Sequence, residues 1–187
     1  MRLEAHLTTG DLQDALFQLT PMAVSLDPDS PTRQLSIRPP SKVALLDGLG
    51  LQVVTDLQLQ WDVIGLRVPV TLRRVSLLLR PSVELHEGEL ALLFLPQLQE
   101  ADLSAIPGLL RDVIVARINE ALARPDARIA WRFMEALDFR FPLPPQVLPA
   151  FQVRLYARSG SVQVQNGELR LGIDWGLTAE APQPATS

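Results

Sequence analysis

The middle of the chain alternates with a strict period of two. Leu57, Leu59, Trp61 and Val63 stand between Asp56, Gln58, Gln60 and Asp62. Successive side chains of a strand point to opposite faces, so this pattern encodes a half-buried strand with one apolar and one wet face. Val68, Val70 and Leu72 continue it, but Val75, Leu77 and Leu79 fall on the opposite parity. Arg73 and Arg74 therefore mark a turn or a bulge that restores the register, and they read as edge punctuation rather than a binding patch. Val83 and Leu85 make a further strand, and "HEGE" at 86–89 turns it into Leu90, Leu92 and Phe94 as a hairpin. A chain organised this way predicts an antiparallel sheet whose apolar face must be covered.

Two helices are predicted to supply cover. In "TTGDLQDALFQLTP", Thr8 or Thr9 is the N-cap and Asp11 lies in the first turn, with Leu12, Ala15, Leu16 and Leu19 at helical spacing before Pro21. In "QEADLSAIPGLLRDVIVARINEALA", Asp102 or Ser104 caps a helix that runs to about Ala123, ahead of Pro125. Leu110, Ile114, Ile118 and Leu122 form an i, i+4 line, widened by Ile106, Val113, Val115 and Ala121, while Asp112, Asn119 and Glu120 lie roughly opposite. At 1.5 Å per residue such a helix is about 25 Å long, enough to cross a small domain. It can pack on a sheet or be wrapped by one.

Other strands are expected at Leu3, Ala5 and Leu7, and at Leu35, Ile37, Val43 and Leu45, where Pro39 and Pro40 confine the segment to an edge or a bend. Trp131 and Phe133, then Leu137, Phe139 and Phe141, precede the break "PLPP" at 142–145. Phe151, Val153 and Leu155 lead to Ser159 and Gly160; Val162 and Val164 lead to Asn166-Gly167, the strongest short hairpin signal in the chain. The last strand carries Leu169, Leu171, Ile173, Trp175 and Leu177 on one face. Residues 1–178 read as one domain and residues 179–187 as a disordered tail.

Composition excludes more than it selects. The 187 residues include no cysteine, so disulfides, thiolate nucleophiles and cysteine-ligated zinc are absent. A formal charge of −4 gives no basic footprint for nucleic acid. His6 and His86 are the two imidazoles, and neither stands near a nucleophilic serine motif. His86, Glu87 and Glu89 at a hairpin tip read as solvated residues rather than a metal site. Gly48 and Gly50 in "DGLGLQVV" lack the third glycine and the helix of a dinucleotide fingerprint, so they read as a turn. Asp11 and Asp14 belong to an exposed helical face. No enzyme, metal or cofactor is expected. No apolar run is long enough to span a membrane, and "MRLEAHLTTG" shows no apolar leader, which places the chain in the cytoplasm as it stands; a trimmed leader would place it in the periplasm or outside the cell.

What remains is an apolar surplus: 47% of the residues are hydrophobic but only 5% aromatic, an aliphatic interior. A sheet curled around a long helix can leave a lengthwise groove, where each buried methylene of a ligand contributes about 0.8 kcal/mol without any charged partner. The order of elements resembles the tubular lipid-binding (TULIP) superfamily, including bactericidal permeability-increasing-protein-like domains and small bacterial YceB-type proteins. The resemblance rests on "LTTGDLQDALFQL", the meander from Leu49 to Leu95, "IPGLLRDVIVARINEAL", and the strands "ALDFRFPLPP" and "SVQVQNGELRLGIDWGL". It implies an α+β fold: a strongly curved antiparallel sheet wrapped around a long amphipathic helix, with a second, shorter helix near the N-terminus. It further implies non-enzymatic binding, with transfer as an extension, of a lipid, a fatty-acyl chain or another long apolar ligand. The inward residues proposed to contact it are Leu16, Leu19, Phe94, Leu110, Ile114, Ile118, Leu122 and Trp131. Peripheral membrane contact, a protein partner and a homo-oligomer are compatible with it. The alternative is a structural or assembly module with a side-chain-filled interior, whose edge or outer face recognises another protein.

Overall fold

The computed structural model describes residues 1–26, 34–63, 66–102, 108–132, 140–142 and 152–180. Among them every strand pairing is antiparallel. One sheet has the order β1-β11-β10-β9, made of β1 (Arg2–Leu7), β9 (Arg140–Pro142), β10 (Gln152–Gln165) and β11 (Glu168–Glu180). The larger, curled sheet has the order β2-β3-β5-β6-β7-β8, with β4 also paired to β5. Its strands are β2 (Met22–Ser25), β3 (Gln34–Ile37), β4 (Lys42–Leu46), β5 (Gly50–Val63), β6 (Leu66–His86), β7 (Glu89–Glu100) and β8 (Ile129–Trp131). The helices are α1 (Thr9–Leu19) and α2 (Gly108–Leu122).

The parity switch at Arg73-Arg74 is a bulge inside one long strand. Leu57 faces Leu72 and Thr55 faces Val75, so two residues of β6 oppose the single Asp56. Arg74 takes the left-handed conformation, φ 52°, and its amide donates to Asp56 Oδ1 at 2.9 Å. The extra residue puts Leu72, Val75, Leu77 and Leu79 all in the core despite their mixed parity. The segment around Val83 and Leu85 is the continuation of β6 rather than a separate strand. Likewise β10 runs through Ser159 and Gly160 with a register shift between Ala157 and Ser159.

Thr8 is the N-cap of α1, in a reciprocal box with Asp11: the Asp11 amide donates to Thr8 Oγ1 and the Thr8 amide to Asp11 Oδ2 at 2.9 Å. The hydrogen bonds from Thr8 hold the Asp11 carboxyl below its ordinary value. The helix buries Leu12 and Leu16 and leaves Ala15 and Leu19 outside.

The two sheets meet through aliphatic faces. Leu51, Leu57, Leu77, Leu79 and Leu92 of the larger sheet form one cluster with Val164, Leu169, Leu171 and Ile173 of the smaller. They come close at Gly160, where an added Cβ would stand 2.5 Å from Val83 Cγ1. The only buried polar residues among those described are Thr55 and Ser76. Both are satisfied: Thr55 Oγ1 donates to the Arg38 carbonyl at 2.6 Å, and Ser76 Oγ accepts from Gln52 Nε2 at 3.1 Å.

This architecture corrects the expected fold class. Among the described residues the structure is mostly strand, with two short helices, and no long amphipathic helix is wrapped by the sheet. The reason lies in α2 itself. Its fifteen residues, about 22 Å long, carry apolar side chains on several sides: Ile114, Ile118, Ala121 and Leu122 are buried, Val115 is half-buried and Val113 is exposed. A helix without a single broad stripe packs by one narrow line, and here that line joins a core which the second sheet already fills. Ile106, the expected cap residues around Ser104, and the strand positions 133–139 lie outside the described residues; β11 continues to Glu180.

Replacing Arg74 by glycine should stabilise the protein by about 1 kcal/mol, since a non-glycine residue in the left-handed region carries a cost of that order. Thermal unfolding should show a midpoint raised by roughly 2–4 °C; an unchanged or lowered midpoint would show that the Arg74 side chain contributes more than its backbone costs.

Candidate functional site

Of the eight residues predicted to line a ligand groove, the structure gathers five. Leu16, Phe94, Ile114, Ile118 and Leu122 belong to the core cluster and are 5%, 5%, 2%, 0% and 0% exposed. Leu19 and Trp131 lie apart from that cluster, 44% and 40% exposed. Leu110 stands on α2, but its side chain falls outside the described set. The gathered residues belong to one continuous cluster of buried side chains. The slot between α1 and the larger sheet, bounded by Leu16, Met22, Ile37, Val53, Leu77 and Ile129, encloses about 20 Å³. That space is close to a single water and far short of an acyl chain.

A larger space lies where two turns meet. The β4–β5 turn, Asp47-Gly48-Leu49, rests against the tip of the β10–β11 hairpin. Asp47 Oδ2 accepts from the Asn166 amide at 3.1 Å and its Oδ1 from the Gly167 amide at 3.2 Å. The Gly48 amide donates to the Val164 carbonyl at 2.9 Å. Beside this latch opens a cleft of about 660 Å³, lined by Leu49, Pro81, Val162 and Gln163 among others. Leu49 is 56% exposed. Sequence analysis identifies each turn correctly, through Gly48-Gly50 and Asn166-Gly167, but nothing local indicates that the two dock on each other. A smaller depression of about 360 Å³ lies between α2 and the edge of β7, near Arg80, Leu95 and Asn119.

No cluster of three or more metal-ligating side chains occurs among the described residues. At the β6–β7 turn, Glu87 pairs with Arg132 instead of joining His86. His6 Nδ1 lies 3.0 Å from Glu168 Oε2, linking β1 to the start of β11. The hydrogen bond from His6, helped by the charges of His6 and Arg170, holds the Glu168 carboxyl below its ordinary value. No helix among the described residues is long and apolar enough to cross a membrane.

The described residues define an antiparallel β protein with an aliphatic core and an open cleft at its turns. No protein-family model and no curated protein sequence matches the chain.

Because its pKa is depressed in the folded state, Glu168 contributes stability above the usual glutamate range, lost as pH falls through the depressed value. Carboxyl NMR titration should place the Glu168 midpoint below that of an ordinary glutamate, and His6→Ala should return it there. A midpoint indifferent to His6 would remove the pair as the cause.

Proposed function

We propose that the protein is a non-enzymatic structural or assembly module, whose interior serves stability and whose outer surface recognises another protein. One observation carries the reading: the five gathered ligand-groove candidates are at most 5% exposed, and the slot that one of them, Leu16, lines holds about 20 Å³. An acyl chain has no room there without displacing α1.

A second reading, the binding of a lipid or similar long apolar ligand, is favoured by the chemistry of the same slot. Its lining is almost wholly apolar, and α1 contributes Leu16 to it while carrying exposed Phe17 and Leu19. In that reading α1 moves aside, and the burial of methylenes offsets the loss of its packing.

Native mass spectrometry of gently purified protein separates the two. The assembly reading expects the bare chain mass and no uptake of a fluorescent fatty acid; a stoichiometric amphiphile overturns it. Ile114→Trp adds an independent measure. In a filled core it overpacks and lowers stability by roughly 1–3 kcal/mol, whereas a variant of unchanged stability would reveal unoccupied space beside α2.

A further inference from the structure

We infer that Asn166 is a site of spontaneous covalent modification, the conversion of its side-chain amide to aspartate or isoaspartate, and that the Asp47 latch controls the reaction. The inference concerns a turn of this chain and stands apart from the assembly reading.

The reaction needs only the chain and water. Once its proton has passed to hydroxide, the Gly167 nitrogen attacks Cγ of Asn166. The N–Cγ bond forms, the Cγ–Nδ2 bond breaks, and the side-chain nitrogen takes a proton from water and leaves as ammonia. Water then opens the five-membered imide. Cleavage at Cγ gives aspartate, whereas cleavage at the backbone carbonyl of residue 166 gives isoaspartate, with the main chain rerouted through Cβ and Cγ. Glycine in the following position admits the attack, because no Cβ shields its nitrogen. Asn166 and Gly167 are both exposed, so water and hydroxide reach them. Asn119, the other asparagine of the chain, is followed by the bulkier Glu120 and lies within α2.

The fold opposes this reaction in two ways. Asn166 and Gly167 have positive φ, 56° and 72°, the two-residue turn of type I′. In the left-handed conformation ψ is about +47°, which sets the Gly167 nitrogen across the Cα–C bond from Cβ. Ring closure requires the two to be eclipsed, so the peptide must first rotate out of the turn. Asp47 resists that rotation: its Oδ2 accepts from the Asn166 amide at 3.1 Å and its Oδ1 from the Gly167 amide at 3.2 Å. The Gly167 amide is both the latch's donor and the nucleophile, and it cannot serve as both at once. The carboxylate beside it also disfavours loss of the amide proton, which would set two negative charges together. Conversion therefore runs through the opened latch, a local fluctuation of the turn. The product keeps the latch open. Isoaspartate inserts a methylene between the two latch amides and leaves a second carboxylate beside that of Asp47. The β4–β5 turn, whose Gly48 amide donates to the Val164 carbonyl, is then released from the hairpin, and the cleft that Asp47 and Asn166 line changes shape.

The test incubates the full chain at mildly alkaline pH and follows both asparagines by peptide mass spectrometry, with electron-based fragmentation to tell isoaspartate from aspartate. Three samples are compared: the native chain, the chain unfolded in urea, and Asp47→Ala. Asp47 is exposed, so the variant should fold, which circular dichroism checks. Asn166 should convert fastest in urea and slowest in the native chain, and Asp47→Ala should speed conversion in the folded protein by roughly tenfold. Asn119 should convert more slowly than Asn166 in urea. In the isoaspartyl fraction the Gly48 amide should exchange with solvent many-fold faster than in the unmodified chain. Equal rates in the native and unfolded chains, or a rate indifferent to Asp47→Ala, would overturn control by the latch. Asn166 left intact in urea would overturn the site itself. A Gly48 amide still protected in the isoaspartyl chain would show a closed latch and sink the consequence drawn for the cleft. The assembly reading is unaffected by these outcomes, since it stands or falls on a bound amphiphile.

Discussion

Everything in the molecule follows from two sheets closing on an interior that is aliphatic and full. Leucine, valine and isoleucine side chains from both sheets interdigitate, and only Thr55 and Ser76 bring buried polar side chains among the described residues. Close packing of this kind tolerates neither a void nor an extra methylene. Local irregularities serve it. The bulge at Arg74 returns β6 to register after Asp56, and Gly160 admits Val83 where the sheets come close. Gly50, at φ 142°, takes a conformation that side chains rarely adopt and sits where a Cβ would strike the Leu79 backbone.

Filling the inside moves the question of function outside. A sheet protein must manage its edges, because unpaired amides and carbonyls invite other chains. The smaller sheet treats its two edges differently. The β1 edge carries Arg2, Glu4 and His6, with Arg2 paired to Glu4 and His6 to Glu168. On the β10 side the Asp47 turn covers the edge at Val164 and stops there.

The candidate site was legible only in parts. Local signals located both turns that build the cleft. The inward parity of Phe94 and the helical spacing of Leu16, Ile114, Ile118 and Leu122 marked buried positions correctly. What those residues face was not legible, because burial against a ligand and burial against another sheet leave the same apolar pattern in a chain. Leu19 and Trp131 fit the periodicity as well as their buried neighbours do, yet they end up 44% and 40% exposed. Periodicity sets a direction, while burial depends on whether anything occupies it.

The chain by itself determined its strands, its hairpins and the two helices, because those depend on side-chain alternation, caps and positive-φ turn residues within a few positions. Thr8 with Asp11, Asn166-Gly167 and the parity switch at Arg73-Arg74 each specify a local geometry whatever lies beyond. Only tertiary structure decided that α2 packs on the larger sheet, against β7 and β2, rather than being wrapped by it. The meeting of β6 with β10, at residues such as Val83 and Gly160 that are far apart in sequence, is likewise set by shape. The same long-range closure placed Asp47 against Asn166 and Gly167, and with it created the cleft.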